Sequence, residues 1–378
     1  MDTNALKTFA KDARRSLIAQ IGAKLTHVLA EGSPERRENP SAIGTLEALV
    51  KEQGKEQVVE KVSYTWFNRL SALRFMDANG YNAIKVVSPS DSGTRPEILT
   101  EAIDGNTDKE LSERTKERVQ AILSGREASK DPHGEAYRLL LVATCNKLNT
   151  VMPFMFERIA DYTELLLPTD LLSSDGIASQ LRNVMTVDAC KDVEVIGWLY
   201  QFYISEKKDD VFDGLKKNIK ITAENIPAAT QLFTPHWIVR YLVENSLGRL
   251  WLLNHPSSAL AKKMDYYITP EDTETDFLRI SSPEEIRICD PACGSGHMLT
   301  YAFDLLHVIY EEEGYDTNDI PGLILANNLT GIEIDDRAGA LAAFALAMKA
   351  AQYLGWDKFQ RMTAQPNARF AESGQPFR

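Results

Sequence analysis

The sequence predicts an α/β protein, with a helical N-terminal domain over residues 1–225 followed, over residues 226–378, by the first part of a doubly wound parallel sheet. Three observations carry this prediction. Apolar residues recur at three- and four-residue steps through the first half, with no alternating run. Two short apolar segments in the last quarter each end in an acid and lead into a helix, and the first connection is a glycine turn. A chain of 378 residues also exceeds the roughly 250–300 at which single cores stop growing, so more than one domain is expected.

The helices follow in order. From Ala5 to about Leu29, Leu6, Phe9, Leu17, Ile21, Leu25 and Val28 form one stripe. Tyr64 to Asp77 places Trp66, Leu70, Leu73 and Met76 on one side, with Arg69 and Arg74 as its charged members, and Asn79–Gly80 supplies a turn. Ser88 to about Gly134 is polar and rich in turn signals around the helical stretch ELSERTKERVQAIL, which reads as a surface excursion. AYRLLLVATCNKLN and VEVIGWLYQFYISEKK are helical again, and Pro153 and Pro168 break the run between them.

Beyond residue 225 the pattern changes. Thr234 and Pro235 precede the helix HWIVRYLVENSLGRLW, with the threonine suited to cap it and the proline to its first position. IRICD is a short strand ending in Asp290, followed by the turn PACGSG and the helix HMLTYAFDLLHVIYEEE. LTGIEID is a second strand, followed by the alanine-rich helix RAGALAAFALAMKAAQYL. This makes two strand–helix units, the start of a sheet.

Composition narrows the function. With 44% hydrophobic and 25% charged residues, and no apolar run near the ~18 residues a membrane span requires, the chain reads as soluble and, with no export signal at its start, cytoplasmic. Cys145, Cys190, Cys289 and Cys293 form no C-x-x-C pair, so no zinc site or disulfide framework is suggested and buried thiols are expected. A net charge of −12 opposes broad binding to a phosphate backbone, leaving a local patch for any DNA contact.

The residues Asp290 to Gly296, DPACGSG, carry the chemistry. In an open parallel sheet, ligands bind beyond the carboxyl ends of the strands, and Asp290 and Glu333 both stand at that edge. A nicotinamide dinucleotide fits poorly: the third glycine of G-x-G-x-x-G is Leu299, and Glu333 follows Gly296 by 37 residues rather than about 20. A P-loop is excluded because no G-K-[ST] follows the turn. A carboxylate at Asp290 repels a pyrophosphate but favours an ammonium or a sulfonium group. S-adenosylmethionine carries both; glycines let it approach the backbone, and its ribose hydroxyls suit a carboxylate such as Glu333. A ligand-free tight turn gives no reason for two acids at one edge.

At this point the sequence resembles the amino-adenine DNA methyltransferases of the gamma arrangement, whose motif order begins with a T-P element, then D-P-x-C-G-S-G, then a second strand ending in an acid. QLFTPHWIV, at Gln231 to Val239, is similar to the first element. The resemblance implies a Rossmann-like methyltransferase sheet in which Thr234 contacts the methionine part of S-adenosylmethionine. It likewise implies that Asp290, Ala292, Gly294 and Gly296 form the cofactor loop, and that Glu333 and Ile334 hold the ribose and flank the adenine. Upstream, YTWFNRLSALRFMDANGY and EVIGWLYQFYISEKKDDVF resemble the helical part of the PglX-type methyltransferases of BREX phage-defence systems. These imply methylation of adenine N6 in a short recognition sequence of double-stranded DNA, by positioning and base flipping without a metal. They also imply other defence-system proteins and phage inhibitor proteins as partners.

One departure matters. The family's target-base motif, [N/D/S]-P-P-[F/Y/W], is absent: ENPS at Glu38–Ser41 and GQPF at Gly374–Phe377 both lack the proline pair. No catalytic residue is therefore assigned, and the chain reads as the N-terminal portion of a longer enzyme, inactive alone, with most DNA contacts outside it. Two alternatives stay open: the methyltransferase part of a combined restriction-modification enzyme, although no P-D-x(n)-E-x-K element stands near the N-terminus, and a non-catalytic protein-interaction module.

Overall fold

The computed structural model describes residues 3–90, 93–158, 161–222, 225–232 and 234–370, so GQPF at 374–377 lies outside the described residues. By internal contacts the chain divides into two compact units, Met1–Glu206 and Lys207–Arg378; the division falls inside a helix, Glu194–Lys216, where the composition had suggested residue 225.

Among the described residues the first unit is helical throughout. Helix α1 (Thr3–Leu29) buries every residue of its predicted stripe, and packs on α2 (Lys55–Ala78). Helix α2 is not amphipathic in the ordinary sense: Trp66, Leu70, Leu73 and Met76 are buried, and so are Arg69 and Arg74. The later turns of this helix are buried on all sides, and charged groups there must find internal partners. Arg74 does so by donating from Nε to the Met185 carbonyl (2.9 Å) and from Nη1 to Ser88 Oγ (2.9 Å), while Arg69 donates from Nη2 to the Glu157 carbonyl (2.7 Å).

ENPS marks a helix boundary, with Asn39 at the C-cap of Pro34–Glu38 and Pro40 opening the next helix, Pro40–Gln53. The segment 88–134 is more built than a surface excursion. It holds two helices, α3 (Glu97–Ile103) and α4 (Glu113–Leu123), both packed on α5 (Pro132–Leu148) through Ile98, Leu99, Val119 and Ile122. Its polar turn residues hid an apolar side of only a few residues per helix. Helix α6 (Glu194–Lys216) adds Tyr200 and Tyr203, which meet Tyr64 edge-on at 5.5 and 5.6 Å; Tyr203 also lies 4.5 Å from Phe67.

Asp77, near the end of this buried helix, organises the loop beyond it. Its carboxylate accepts from Asn82 Nδ2 (2.7 Å) and from the N–H groups of Val86, Val87 and Ser88 (2.9, 2.8 and 2.8 Å). Burial nonetheless pushes its pKa above the usual carboxylate value against those four bonds.

In the second unit, α7 (His236–Val243) continues through a π-turn at Glu244–Gly248 into α8 (Arg249–Asn254), where an unbroken α-helix was predicted. Pro235 occupies the cap position and no side chain caps the helix, so Thr234 stands one residue outside the position predicted for it. At the π-turn Glu244 is fully buried; it accepts from Tyr301 Oη (2.6 Å) and from the Tyr266 N–H (2.5 Å).

The sheet has three parallel strands in the order β1 (Ile288–Asp290), β2 (Leu329–Glu333) and β3 (Ala368–Phe370). The third strand corrects the expectation of two: ARF is too short for periodicity to reveal. Helix α9 (His297–Glu312) joins β1 to β2 and α10 (Asp336–Leu354) joins β2 to β3; the two helices pack on one another and against β2. Register pairs Asp290 with Gly331 and Glu333 with Phe370, so the two acid-ended strands finish at one edge. Cys145, Cys190 and Cys293 are buried as expected, but Cys289 is exposed in the middle of β1.

Asp77→Ala should destabilise the first unit by about 3 kcal/mol or more, because three backbone donors lose their acceptor at roughly 1–3 kcal/mol each. Asp77→Asn, retaining one acceptor oxygen, should cost less. Denaturant titration followed by tryptophan fluorescence measures both.

Candidate functional site

The turn between β1 and α9 is shaped by its glycines. Gly294 adopts φ +55° and Gly296 φ +88°, a region side chains disfavour. A Cβ at Gly296 would stand 3.0 Å from that of Ala342 on α10, so here glycine lets two helices close on the sheet edge. A Cβ at Gly294 would meet nothing within 4 Å: the backbone there faces open space. Gly331 in β2 makes a third close approach, with a Cβ position 2.9 Å from Cys293 Sγ and 3.0 Å from Leu299 Cδ1.

Hydrogen bonds tie this turn to β2. The Cys293 N–H donates to the Ile332 carbonyl (3.0 Å), and the Gly294 N–H donates to Glu333 Oε2 (2.7 Å). The other oxygen of Glu333 accepts from the N–H groups of Ile334 (3.0 Å) and Asp335 (3.1 Å). One carboxylate thereby joins two loops. Each of its oxygens keeps accepting capacity, since an ionised carboxylate offers about four lone-pair directions. Asp335, buried, caps α10 by accepting from the Arg337 N–H (3.2 Å) and fixes where β2 stops.

Asp290 is half-buried and accepts from the Ala292 N–H (3.1 Å). Burial raises its pKa above the usual aspartate value, with that hydrogen bond pulling the other way. Burial also pushes the Cys293 thiol up to about 12, helped by the charges of Asp290 and Glu333, so it stays protonated and acts as packing.

Of the predicted residues, the structure brings Asp290, Ala292, Gly294, Gly296, Glu333 and Ile334 to one sheet edge. Ala292 is exposed, and Ile334 is an exposed large apolar side chain (49%) beside Glu333, available to a flat apolar ring. Thr234 is positioned indirectly, because the helix it precedes, α7, packs along α9. That packing is held by Glu244 and by Arg240, which pairs with Asp265 (2.8 Å) and lies 5.3 Å over the Tyr301 ring. No hydrogen bond links Thr234 to Asp290 or Glu333 among the described residues. Sequence reasoning missed Gly331 and Asp335, whose spacing next to Glu333 was legible, and Ser295, a hydroxyl between two glycines.

These features define a class: a parallel α/β protein whose glycine turn and two acids meet at the carboxyl edge of its strands. Comparison with known proteins narrows it. Residues 276–367, from before β1 to the residue preceding β3, match the family model described as MmeI, DNA-methyltransferase domain. The chain is 43% identical, over 93% of its length, to the adenine-specific methyltransferase BrxX of Escherichia coli O9:H4 (strain HS). It is 35% identical, over 92% of its length, to the adenine-specific methyltransferase PglX of Lacticaseibacillus casei (strain Zhang). It spans about a third of each of these relatives, 31% and 32%. Over nearly its whole length, then, the chain is similar to part of these two adenine-specific methyltransferases, as its motifs suggested.

Gly296→Ala should strain the turn both through its φ and against Ala342, at about 1–3 kcal/mol. The expected outcome is a lower Tm together with faster amide exchange across residues 293–299.

Proposed function

We propose that this chain carries the S-adenosylmethionine site of a DNA adenine-N6 methyltransferase of a BREX-type phage-defence system, on a Rossmann-like sheet and acting in the cytoplasm. The observation that carries the reading is the pair Asp290 and Glu333 at one strand edge, on either side of a glycine turn that presents bare backbone. The residues fit the cofactor: the open space at Gly294 admits a ligand where a Cβ would intrude, Glu333 retains lone pairs for ribose hydroxyls, and Ile334 offers an apolar surface to adenine. Among the described residues, no helix is long and apolar enough to cross a membrane.

When bound, S-adenosylmethionine supplies an electrophilic methyl group. Asp290 pairs with its ammonium, Glu333 orients the ribose, and Thr234 approaches the methionine part from the start of α7. Methyl transfer to an adenine amino group calls for orientation and exclusion of water more than for a strong base. The residues here hold the donor; an N-P-P-[F/Y/W] element to hold the flipped base is not among them. Double-stranded DNA is the proposed substrate, with other defence proteins as partners.

Titration calorimetry tests the reading. Glu333→Ala should weaken S-adenosylmethionine binding at least tenfold, the loss of a hydrogen-bonded charged group; unchanged affinity would defeat the assignment. Affinity should also depend on pH in a defined direction. The pairing form of Asp290 is the carboxylate, so affinity falls as pH drops through its raised pKa, above the range of an ordinary aspartate. Asp290→Asn should bind more weakly and flatten that dependence.

A further inference from the structure

Two asparagines hold the segment beyond α8 against the helices by one repeated device. Asn245, in the π-turn, donates from Nδ2 to the carbonyls of Tyr241 and Tyr266 (both 2.8 Å) and accepts at Oδ1 from the Ile268 N–H (2.8 Å). Asn254, at the end of α8, donates from Nδ2 to the carbonyls of Leu250 (3.0 Å) and Leu278 (2.9 Å) and accepts at Oδ1 from the Ile280 N–H (3.1 Å). Between the clamps Arg249 pairs with Glu274 (2.6 Å), and before the first of them Arg240 pairs with Asp265 (2.8 Å). Residues 265–280 are thereby a strap fastened along the helices, with backbone groups at both clamps used internally.

What the first clamp displays is apolar. Trp237 and Tyr241 stand one turn apart on the same face of α7, and Asn245 brings Tyr266 and Ile268 alongside Tyr241. With Leu242 these are five exposed large apolar side chains, Trp237 and Ile268 at 56% each. Single exposed apolar residues are ordinary, but a group gathered at one clamp and rich in Trp and Tyr has the composition of an interface anchor. The strap adds charge of one sign: between Lys263 and Arg279 it carries Asp265, Glu271, Asp272, Glu274 and Asp276 and no Lys or Arg. Asp265 and Glu274 are held by the helix arginines, while Glu271, Asp272 and Asp276 are exposed. This face shares no residue with the glycine turn or its two acids.

We propose that α7 and the strap dock a basic segment of a partner protein, one that carries Lys or Arg around an aliphatic or aromatic anchor. The anchor covers Trp237, Tyr241 and Ile268, and the cations meet Glu271 and Asp272. The same acids repel a nucleic-acid backbone, so the face selects protein over DNA. Because the clamps fix the strap beforehand, docking has less ordering to supply.

The test titrates the chain, by fluorescence anisotropy, with a labelled amphipathic helical peptide of Leu and Lys and with its counterpart of Leu and Glu. The Leu–Lys peptide should bind about tenfold tighter or more, with an affinity that falls as salt rises. Trp237→Ser combined with Tyr241→Ser should weaken it about tenfold, the scale of an interface anchor, and Glu271→Lys combined with Asp272→Lys should weaken it severalfold. Val187→Ser, at an exposed apolar residue of the first unit, should change it by less than about twofold. Equal affinity for the two peptides, no binding of either, or a loss in Val187→Ser as large as in the α7 variant overturns the proposal. So does displacement of the peptide by duplex DNA, which gives the face to nucleic acid, or a concentration-dependent dimer that the α7 variant abolishes, which gives it to a second copy. Should a variant not fold, amide exchange in wild-type protein decides: the Leu–Lys peptide protects residues 236–245 and 265–268, and protection that is absent there refutes the docking site.

Discussion

The candidate site depends on one carboxylate. Glu333 accepts from Gly294 on one side and from Ile334 and Asp335 on the other, so a single charge sets the distance between the glycine turn and the loop after β2. Hydrogen bonds to an ionised acceptor are among the stronger polar contacts a protein makes, and three at once leave the side chain little freedom. Everything else at the edge is arranged around that brace. Gly331 lets Cys293 and Leu299 close against β2, and Gly296 lets α10 approach, so that both loops reach the acid.

A shared acceptor also has consequences for ligand binding. A cofactor that engages Glu333 does so on a group already held in place, which removes part of the ordering cost of association. The acid at Asp290 differs in kind. It has one backbone donor, and burial raises its pKa, so its charge is less well compensated by the protein and more responsive to a cation. The two acids that sequence inspection placed at one edge therefore differ in setting, one bracing two loops through three backbone donors, the other holding a single backbone donor.

The helical unit obeys a different logic. Its central helix, Lys55–Ala78, is buried through its later turns, where Arg69 and Arg74 donate to carbonyls of distant segments and Asp77 accepts from the loop that follows. Polar side chains that organise loops in this way make a unit specific as well as stable. The identity shared with the two adenine-specific methyltransferases runs through this unit as well as the sheet.

By itself the sequence determined the helices with regular apolar stripes, the two acid-ended strands and the glycine turn, because periodicity and backbone chemistry are local properties. It placed Asp290 and Glu333 at one edge for the same reason: in a parallel sheet, successive strands end together. Tertiary structure alone decided the rest. The strand 368–370 is defined by its partner β2, the packing of 88–134 rests on a few residues that only α5 makes interior, and the π-turn at Glu244 is stabilised by bonds to Tyr266 and Tyr301. The exposure of Cys289 and the burial of Arg69, Arg74 and Ser295 likewise depend on neighbours distant in the chain, which no local pattern encodes.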